Sequence, residues 1–386
     1  MWRAILLATT CGAGVLAACS SSSNDAPPMT TPALDAGVAD TGTTEDAGPT
    51  GPAPFPATPP ASLSATGLLA DPPIVGGQIM LAADLEPYQL ATQLFSDYAV
   101  KTRAIRFPAG TAATYHAREV LDFPVGTVVT KTFAMQNDRR SDASGKRVIE
   151  TRLLVRDAAG WQAYPYLWND AQTEATYVPG GRIVPVDTID ASGKPLHFSY
   201  LVPSKNQCTE CHHLQEADGT QVMTLIGPKA RNINITVNGE NQLDRLARLG
   251  KLNGLPAAAD RPKAIDAFDG IAGTLDERAR TYLDVNCAHC HRPESTIGIT
   301  TQLWLDIWNT TAFNYGVCKR PGSAGPDVGG TYDVVPGDHT TSVLWYRVQT
   351  TNSGKMMPVI GRAIEHVEGA NLLASWIDGM TARVCQ

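Results

Sequence analysis

Two copies of one five-residue pattern constrain this chain more than anything else in it: Cys208-Thr209-Glu210-Cys211-His212 and Cys287-Ala288-His289-Cys290-His291. In Cys-x-x-Cys-His the two thiols are spaced to add across the two vinyl groups of a haem. The imidazole that follows at once is placed to become the proximal iron ligand. Four of only eight cysteines fall in these motifs, so chance is a poor account of them. The competing reading is zinc shared between the two motifs. The expectation is two covalently bound haem c groups, with Cys208, Cys211, Cys287 and Cys290 as thioether donors and His212 and His291 on the irons.

The compartment decides between these readings, because Cys-x-x-Cys in a reducing cytosol first suggests zinc or a redox dithiol. Residues 1–19 read as an export signal: Arg3 supplies the positive start, residues 4–18 are apolar with small side chains, and Leu16-Ala17-Ala18-Cys19 resembles a bacterial lipobox. In such a segment Cys19 is the lipidated residue and the mature N-terminus. Ser20 stands where an aspartate would favour retention at the inner membrane. The expected place is the cell envelope, lipid-anchored at the outer membrane, on its periplasmic or surface face. The alternative is an ordinary signal peptide cleaved nearby. No other stretch reaches the roughly 18 apolar residues that a span requires. A net charge of -7 does not favour nucleic acid as a partner.

Residues 20–62 are rich in Ser, Asp, Thr, Ala, Pro and Gly and bury too little apolar surface to offset their ordering entropy, so they read as a tether. Residues 63–200 have a β texture. Runs at 104–108, 126–133 and 147–156 are rich in β-branched residues, and Gly- and Asp-containing turns at 142–145 and 157–160 separate them. This predicts an antiparallel, sandwich- or barrel-like module, with a short helix over 87–95 leading into it. Trp161, Tyr164, Tyr166 and Trp168 read as core aromatics rather than a ligand surface. No nucleophile, phosphate loop or metal-spaced carboxylate set appears there, and no residue is assigned a catalytic role.

The segment 201–271 holds the first motif in an atypical setting, with extended chain rather than a helix running into Cys208 and a helical stretch at 241–250. The segment 272–386 reads differently. Thr274 and Glu277 form a capping box that opens a helix into Cys287. Lys355-Met356-Met357-Pro358 follows later, and apolar residues at helical spacing over 368–380 close the chain. That order of parts resembles a small class I cytochrome c, its two helices crossing beside the haem. The fold class expected is therefore α+β: a β-rich N-terminal module followed by mainly α haem segments. Met357 is the expected distal ligand of the second iron, with Met356 its rival. Met223 is the candidate for the first, against a core role, His197, His116 or an open site. His289 reads as a solvent-facing linker. With Cys11 and Cys19 in the leader and four cysteines in the motifs, Cys318 and Cys385 remain. A disulfide is expected between them, against a free pair or an intermolecular bond.

The chain resembles a family of exported dihaem c-type cytochromes, often encoded beside a parallel β-helix protein. The likeness runs through Leu94-Phe95-Ser96-Asp97-Tyr98-Ala99, residues 123–127 and 150–153, and Trp168-Asn169-Asp170-Ala171-Gln172-Thr173-Glu174-Ala175. It continues through Asn206-Gln207-Cys208, Gly227-Pro228-Lys229-Ala230-Arg231, Tyr315-Gly316-Val317-Cys318 and Met356-Met357-Pro358. It covers nearly the whole expected folded body. The resemblance implies covalent haem and places a β-helix protein among the possible partners, without assigning an activity.

The leading expectation is electron transfer between redox partner proteins of the cell envelope. The alternatives are a dihaem peroxidase-like oxidoreductase with one open iron, and a haem-bearing docking or assembly protein.

Overall fold

Strand-forming sequence between 85 and 177 builds one dominant sheet. A computed structural model describes residues 55–216, 218–322 and 327–386, so the expected export signal, the expected lipid site at Cys19 and most of the expected tether lie outside the described residues. The described residues form one compact unit. A hairpin of β1 (Leu69–Val75) and β2 (Gln78–Leu81) comes first, followed by β3 (Leu85–Pro87) and β4 (Val100–Arg106). The two-residue β5 (Ala113–Thr114) precedes the long strands β6 (Val128–Gln136), β7 (Lys146–Asp157) and β8 (Gly160–Trp168), and then β9 (Ala175–Tyr177). The six-stranded sheet has the order β3-β4-β6-β7-β8-β9, an open antiparallel meander rather than a closed barrel. The expected strands at 104–108, 126–133 and 147–156 are present in it.

Side chains alternate across such a sheet, so its two faces carry different work. One face sets Ala104, Leu153, Tyr164, Tyr166 and Trp168 against Leu63, Leu68 and the β1–β2 hairpin. The other sets Ile105, Val129 and Trp161 against Leu225, Ile233, Leu243 and Leu246. All four expected core aromatics are buried. Further along this second face Phe133 packs on Tyr200 and Val202, which belong to the hairpin of β10 (Arg182–Ile189) and β11 (Pro195–Val202).

Where the sequence predicts a helix over 87–95, the structure has none; β3 ends at Pro87 and irregular chain follows. The backbone polar groups there find long-range partners. Tyr88 N donates to Arg103 O at 3.1 Å and Ala91 N to Asn232 O at 2.9 Å. Gln89 N donates to Gln242 Oε1 at 2.8 Å and Thr92 N to Asn232 Oδ1 at 3.0 Å. Buried backbone groups must be paired somewhere, and two amide side chains more than a hundred residues away take the place of a helical ladder.

After β11 the chain is built of short elements. They are α1 (Lys205–Cys211), β12 (His213–Gln215), β13 (Gln221–Met223), α2 (Ala230–Ile233), β14 (Thr236–Val237), β15 (Glu240–Asn241), α3 (Gln242–Arg248) and β16 (Leu252–Asn253). β16 pairs in parallel with β5, tying this stretch back to the β-rich region. The last part contains α4 (Leu275–Asn286), α5 (Thr296–Thr301), α6 (Val343–Gln349) and α7 (Val367–Asp378). Ala279, Tyr282 and Leu283 of α4 share a core with Ala370, Leu373, Trp376 and Ile377 of α7, and Trp376 Nε1 donates to Asp276 at 2.8 Å. Gly369 permits this approach, because a Cβ there would overlap the Tyr282 hydroxyl. Cys318 and Cys385 form a disulfide, with Cα atoms 5.0 Å apart. None of the described helices is long and apolar enough to cross a membrane.

Candidate cofactor site

Each Cys-x-x-Cys-His motif sits at the end of a helix begun by a capping box. At the first, Ser204 Oγ accepts from Gln207 N at 3.2 Å while Gln207 Oε1 accepts from Ser204 N at 2.9 Å. The expectation of no helix before Cys208 is corrected: only two residues separate β11 from α1, which carries both cysteines. The Ser-x-x-Gln signature of that helix was present, but the extended run before it hid a helix of only seven residues. At the second motif the expected Thr274–Glu277 box is formed, with Glu277 N to Thr274 Oγ1 at 3.2 Å and Thr274 N to Glu277 Oε2 at 2.8 Å. Cys287 caps that helix, its N–H reaching Leu283 O at 2.8 Å.

The two motifs lie against each other. Donor atoms of Cys211, His289 and Cys290 all fall within 4.8 Å of one another, and Cys290 Sγ is 3.9 Å from Glu210 O. The closeness of the two sulfurs shifts them in opposite directions, the Cys211 thiol below the ordinary range and the Cys290 thiol above it. His289 is therefore no solvent-facing linker. It is half-buried, lines the cavity and belongs to this cluster.

Cys208, Cys211, His212, Cys287, His289 and Met357 open onto a single cavity holding about 1790 Å³ of space, its open mouth included. Burial pushes the Cys208 thiol up and the Cys287 thiol up to about 12. Burial likewise pulls His212 and His291 down to about 4, so both imidazoles are neutral near pH 7 and keep a lone pair for a metal. The His212 ring is oriented by the β12–β13 hairpin. Its Nδ1 donates to Thr224 O at 2.9 Å while Thr224 N donates back to His212 O at 2.9 Å, so the proton sits on Nδ1 and Nε2 is free to ligate. His291 Nδ1 is buried and makes no hydrogen bond of good geometry, although the Leu303 backbone lies close enough to favour the charged ring.

Of the two adjacent methionines, Met357 lines the cavity, whereas Met356 is buried away from it. Arg362 clamps the Met357 loop from inside. Its Nε donates to Met357 O at 3.1 Å, and its terminal nitrogens donate to Ile364 O at 3.3 Å, Arg347 O at 2.9 Å and Thr350 O at 2.8 Å. The β-rich region reaches into this loop through Asp97, whose Oδ1 accepts from Ala363 N at 2.7 Å and Ile364 N at 3.0 Å. Phe95 N donates to Asn286 Oδ1 at 2.7 Å, and the Phe95 ring stacks on His366 at 4.1 Å. The Leu94-to-Ala99 stretch therefore braces the second motif.

Met223 lies elsewhere. It is cross-strand from His213 and opens on a neighbouring pocket with Trp161 and Lys205, outside the lining of the main cavity. His116 and His197 are engaged by local partners, His116 Nδ1 accepting from Glu119 N at 2.9 Å and His197 pairing with Asp187 at 2.5 Å. Sequence reasoning missed His366, which lines the cavity with its Nδ1 3.2 Å from the Tyr282 hydroxyl. It also missed the cavity's cations, Arg103, Lys131, Arg152, Lys229, Arg231 and Arg362. Of these, Arg231 is spent on a buried ion pair with Asp284 of α4. No local signal announces such residues, since they are distant in sequence and meet only in the fold.

Comparison with protein-family models, curated proteins and solved structures finds no match. The site's chemistry is read from its own residues. The first motif meets the cavity through Cys208, Cys211 and His212 and the second through Cys287 and His289, with Cys290 and His291 outside the lining; the walls are apolar at Leu90, Leu94, Ile226, Val285, Val348 and Ile360 and supplied with cations. Paired thiols, apolar walls and positive charge fit a covalently held, carboxylate-bearing macrocycle.

Proposed function

We propose that this protein is an exported dihaem c-type cytochrome, anchored by a lipid on Cys19, that passes single electrons between redox partners of the cell envelope. One observation carries the reading: residues of both Cys-x-x-Cys-His motifs line one cavity, and the Cys211 and Cys290 sulfurs lie within 4.8 Å of each other. Haem supplies reversible one-electron chemistry, and the protein tunes it through ligand identity, burial and nearby charge. In this chain Cys208, Cys211, Cys287 and Cys290 hold the groups. His212 and His291 are the proximal ligands, with the Thr224 carbonyl orienting the first ring. Met357 is the distal ligand at the second motif, its loop held by Arg362 and Asp97. Thioether ligation raises the potential relative to two histidines, which suits a carrier. The adjacency of Cys211 and Cys290 gives the two centres a short route for an electron. A segment resembling class I cytochrome c, built on α4, the Met357 loop and α7, completes the reading. A partner such as a parallel β-helix protein remains part of the same proposal.

Two observations favour other readings. The Cys211, His289 and Cys290 cluster suits a thiophilic metal such as zinc. The position of Met223 outside the main cavity favours an open first iron, as a peroxidase-like enzyme requires. Full-length protein produced with haem-attachment machinery separates them. Two haems per chain that survive denaturing electrophoresis, with no peroxide turnover, are expected. Zinc without haem, or rapid peroxide turnover with a high-spin ferric signal, sinks the carrier.

A further inference from the structure

One row on the cavity face of the large sheet has no part in attaching haem or ligating iron. Antiparallel register sets Arg103 of β4 opposite Lys131 of β6 and Lys131 opposite Arg152 of β7. Three cations thus stand side by side on adjacent strands, and all three line the cavity. Like charges directly opposite one another destabilise a sheet, so the row needs an explanation. It is not a solvated surface, since the next row on the same face is Ile105, Val129 and Leu154, in or against an apolar core.

Internal neutralisation is incomplete. Among the described residues the carboxylate ion-paired to the row is Glu150, on Arg152, and Glu150 also accepts from the Tyr200 hydroxyl at 2.6 Å. Arg103 donates to the neutral Gln93 side chain at 3.3 Å and the Lys101 carbonyl at 3.5 Å. Lys131 Nζ lies over the Phe133 ring, 4.9 Å from its centroid. Lys101 stands one row away, its amine pulled down to about 7, chiefly by burial. Burial, then repulsion from Arg103, Lys101 and Arg152, pulls the Lys131 amine well below its ordinary pKa. Buried cations in this state are relieved by an anion on the cavity side.

The row shares its cavity with Cys208, Cys211 and His212. Arg152 is near enough to Cys208, and Lys131 to His212, for their charges to interact. We propose that Arg103, Lys131 and Arg152 form an anion site that receives the propionate carboxylates of the haem bound at Cys208 and Cys211, an assignment that rests on the haem reading above. A free oxyanion has the same chemistry, so the test separates the two sources.

Haem is first counted in the wild-type holoprotein; its absence fails the haem reading itself, before the row is tested. Holoproteins carrying Lys131→Met, Arg103→Gln and Lys131→Arg are then titrated electrochemically, with and without inorganic phosphate. The two neutral variants leave uncompensated negative charge near one iron, which favours its ferric form. One midpoint potential is expected to fall in each while the other stays, with both haems retained. Lys131→Arg keeps the wild-type values, and phosphate has no effect. Unchanged potentials in both neutral variants overturn the proposal. So does a saturable phosphate-dependent shift in the wild type that disappears in Lys131→Met, which gives the row to a free oxyanion. If one neutral variant does not accumulate, the other carries the test.

Discussion

The two Cys-x-x-Cys-His motifs share a pattern, a capping box and a cavity, yet the fold supports them differently. The first rides on a seven-residue helix whose histidine is held by the β12–β13 hairpin through Thr224. The second ends a twelve-residue helix that packs on α7 in the C-terminal core, with Arg362 and Asp97 pinning the loop beyond it. The attachment chemistry proposed above would be local to five residues. The rigidity that would tune each site comes from whatever surrounds it: sheet and hairpin in one case, helix packing in the other.

The largest effects test whether the motifs are equivalent in chemistry. Replacing Cys208 and Cys211 together by alanine, or Cys287 and Cys290 together, is expected to halve the covalent haem per chain in either case. The measurement is a pyridine haemochrome against protein concentration, and an undiminished count after either replacement breaks the equivalence.

The next effect is confined to the second motif. Arg362 is buried and donates to four backbone carbonyls, of which Arg347 O keeps a second donor in Met357 N, and orphaned buried acceptors cost ~1–3 kcal/mol each. Arg362→Met should lower the unfolding free energy by about 3 kcal/mol by denaturant titration. It should also abolish the methionine–ferric iron charge-transfer band without altering haem number. A retained band would show that the clamp does not position Met357.

A third, comparable or smaller effect depends on pH. His366 is held down to about 4 by burial, below the usual histidine value of about 6.5. The unfolded state therefore binds more protons in this window, so stability is full above pH 6.5 and is lost as pH falls toward 4. His366→Gln should flatten that slope, removing on the order of 3 kcal/mol of pH dependence. An unchanged slope would place the acid sensitivity on other groups.

The smallest effects compare the two caps. Ser204→Ala and Thr274→Ala each remove a capping bond worth ~1 kcal/mol. The loss at Thr274 should appear in global stability because α4 is part of a core, whereas the loss at Ser204 should appear as faster local amide exchange in α1. Equal global losses would erase the distinction between the two supports.

Much of this protein was legible locally. The haem-type motifs, the Thr274 cap, the closing helix, the strands of β4, β6 and β7 and the pairing of Cys318 with Cys385 follow from short spacings, side-chain period and cysteine arithmetic. All but the disulfide are governed by bond geometry or by neighbours in the chain; the disulfide joins residues 67 apart and was expected only because two cysteines remained. What the tertiary structure alone decided is long-range. Asn232 and Gln242 satisfy the backbone at 89–92 and replace an expected helix there. Strand register lines up Arg103, Lys131 and Arg152. Packing brings Cys211 beside Cys290 across nearly eighty intervening residues. Burial chooses such partners by shape and by the need to pair every polar group, and neither is written within any one stretch of the chain.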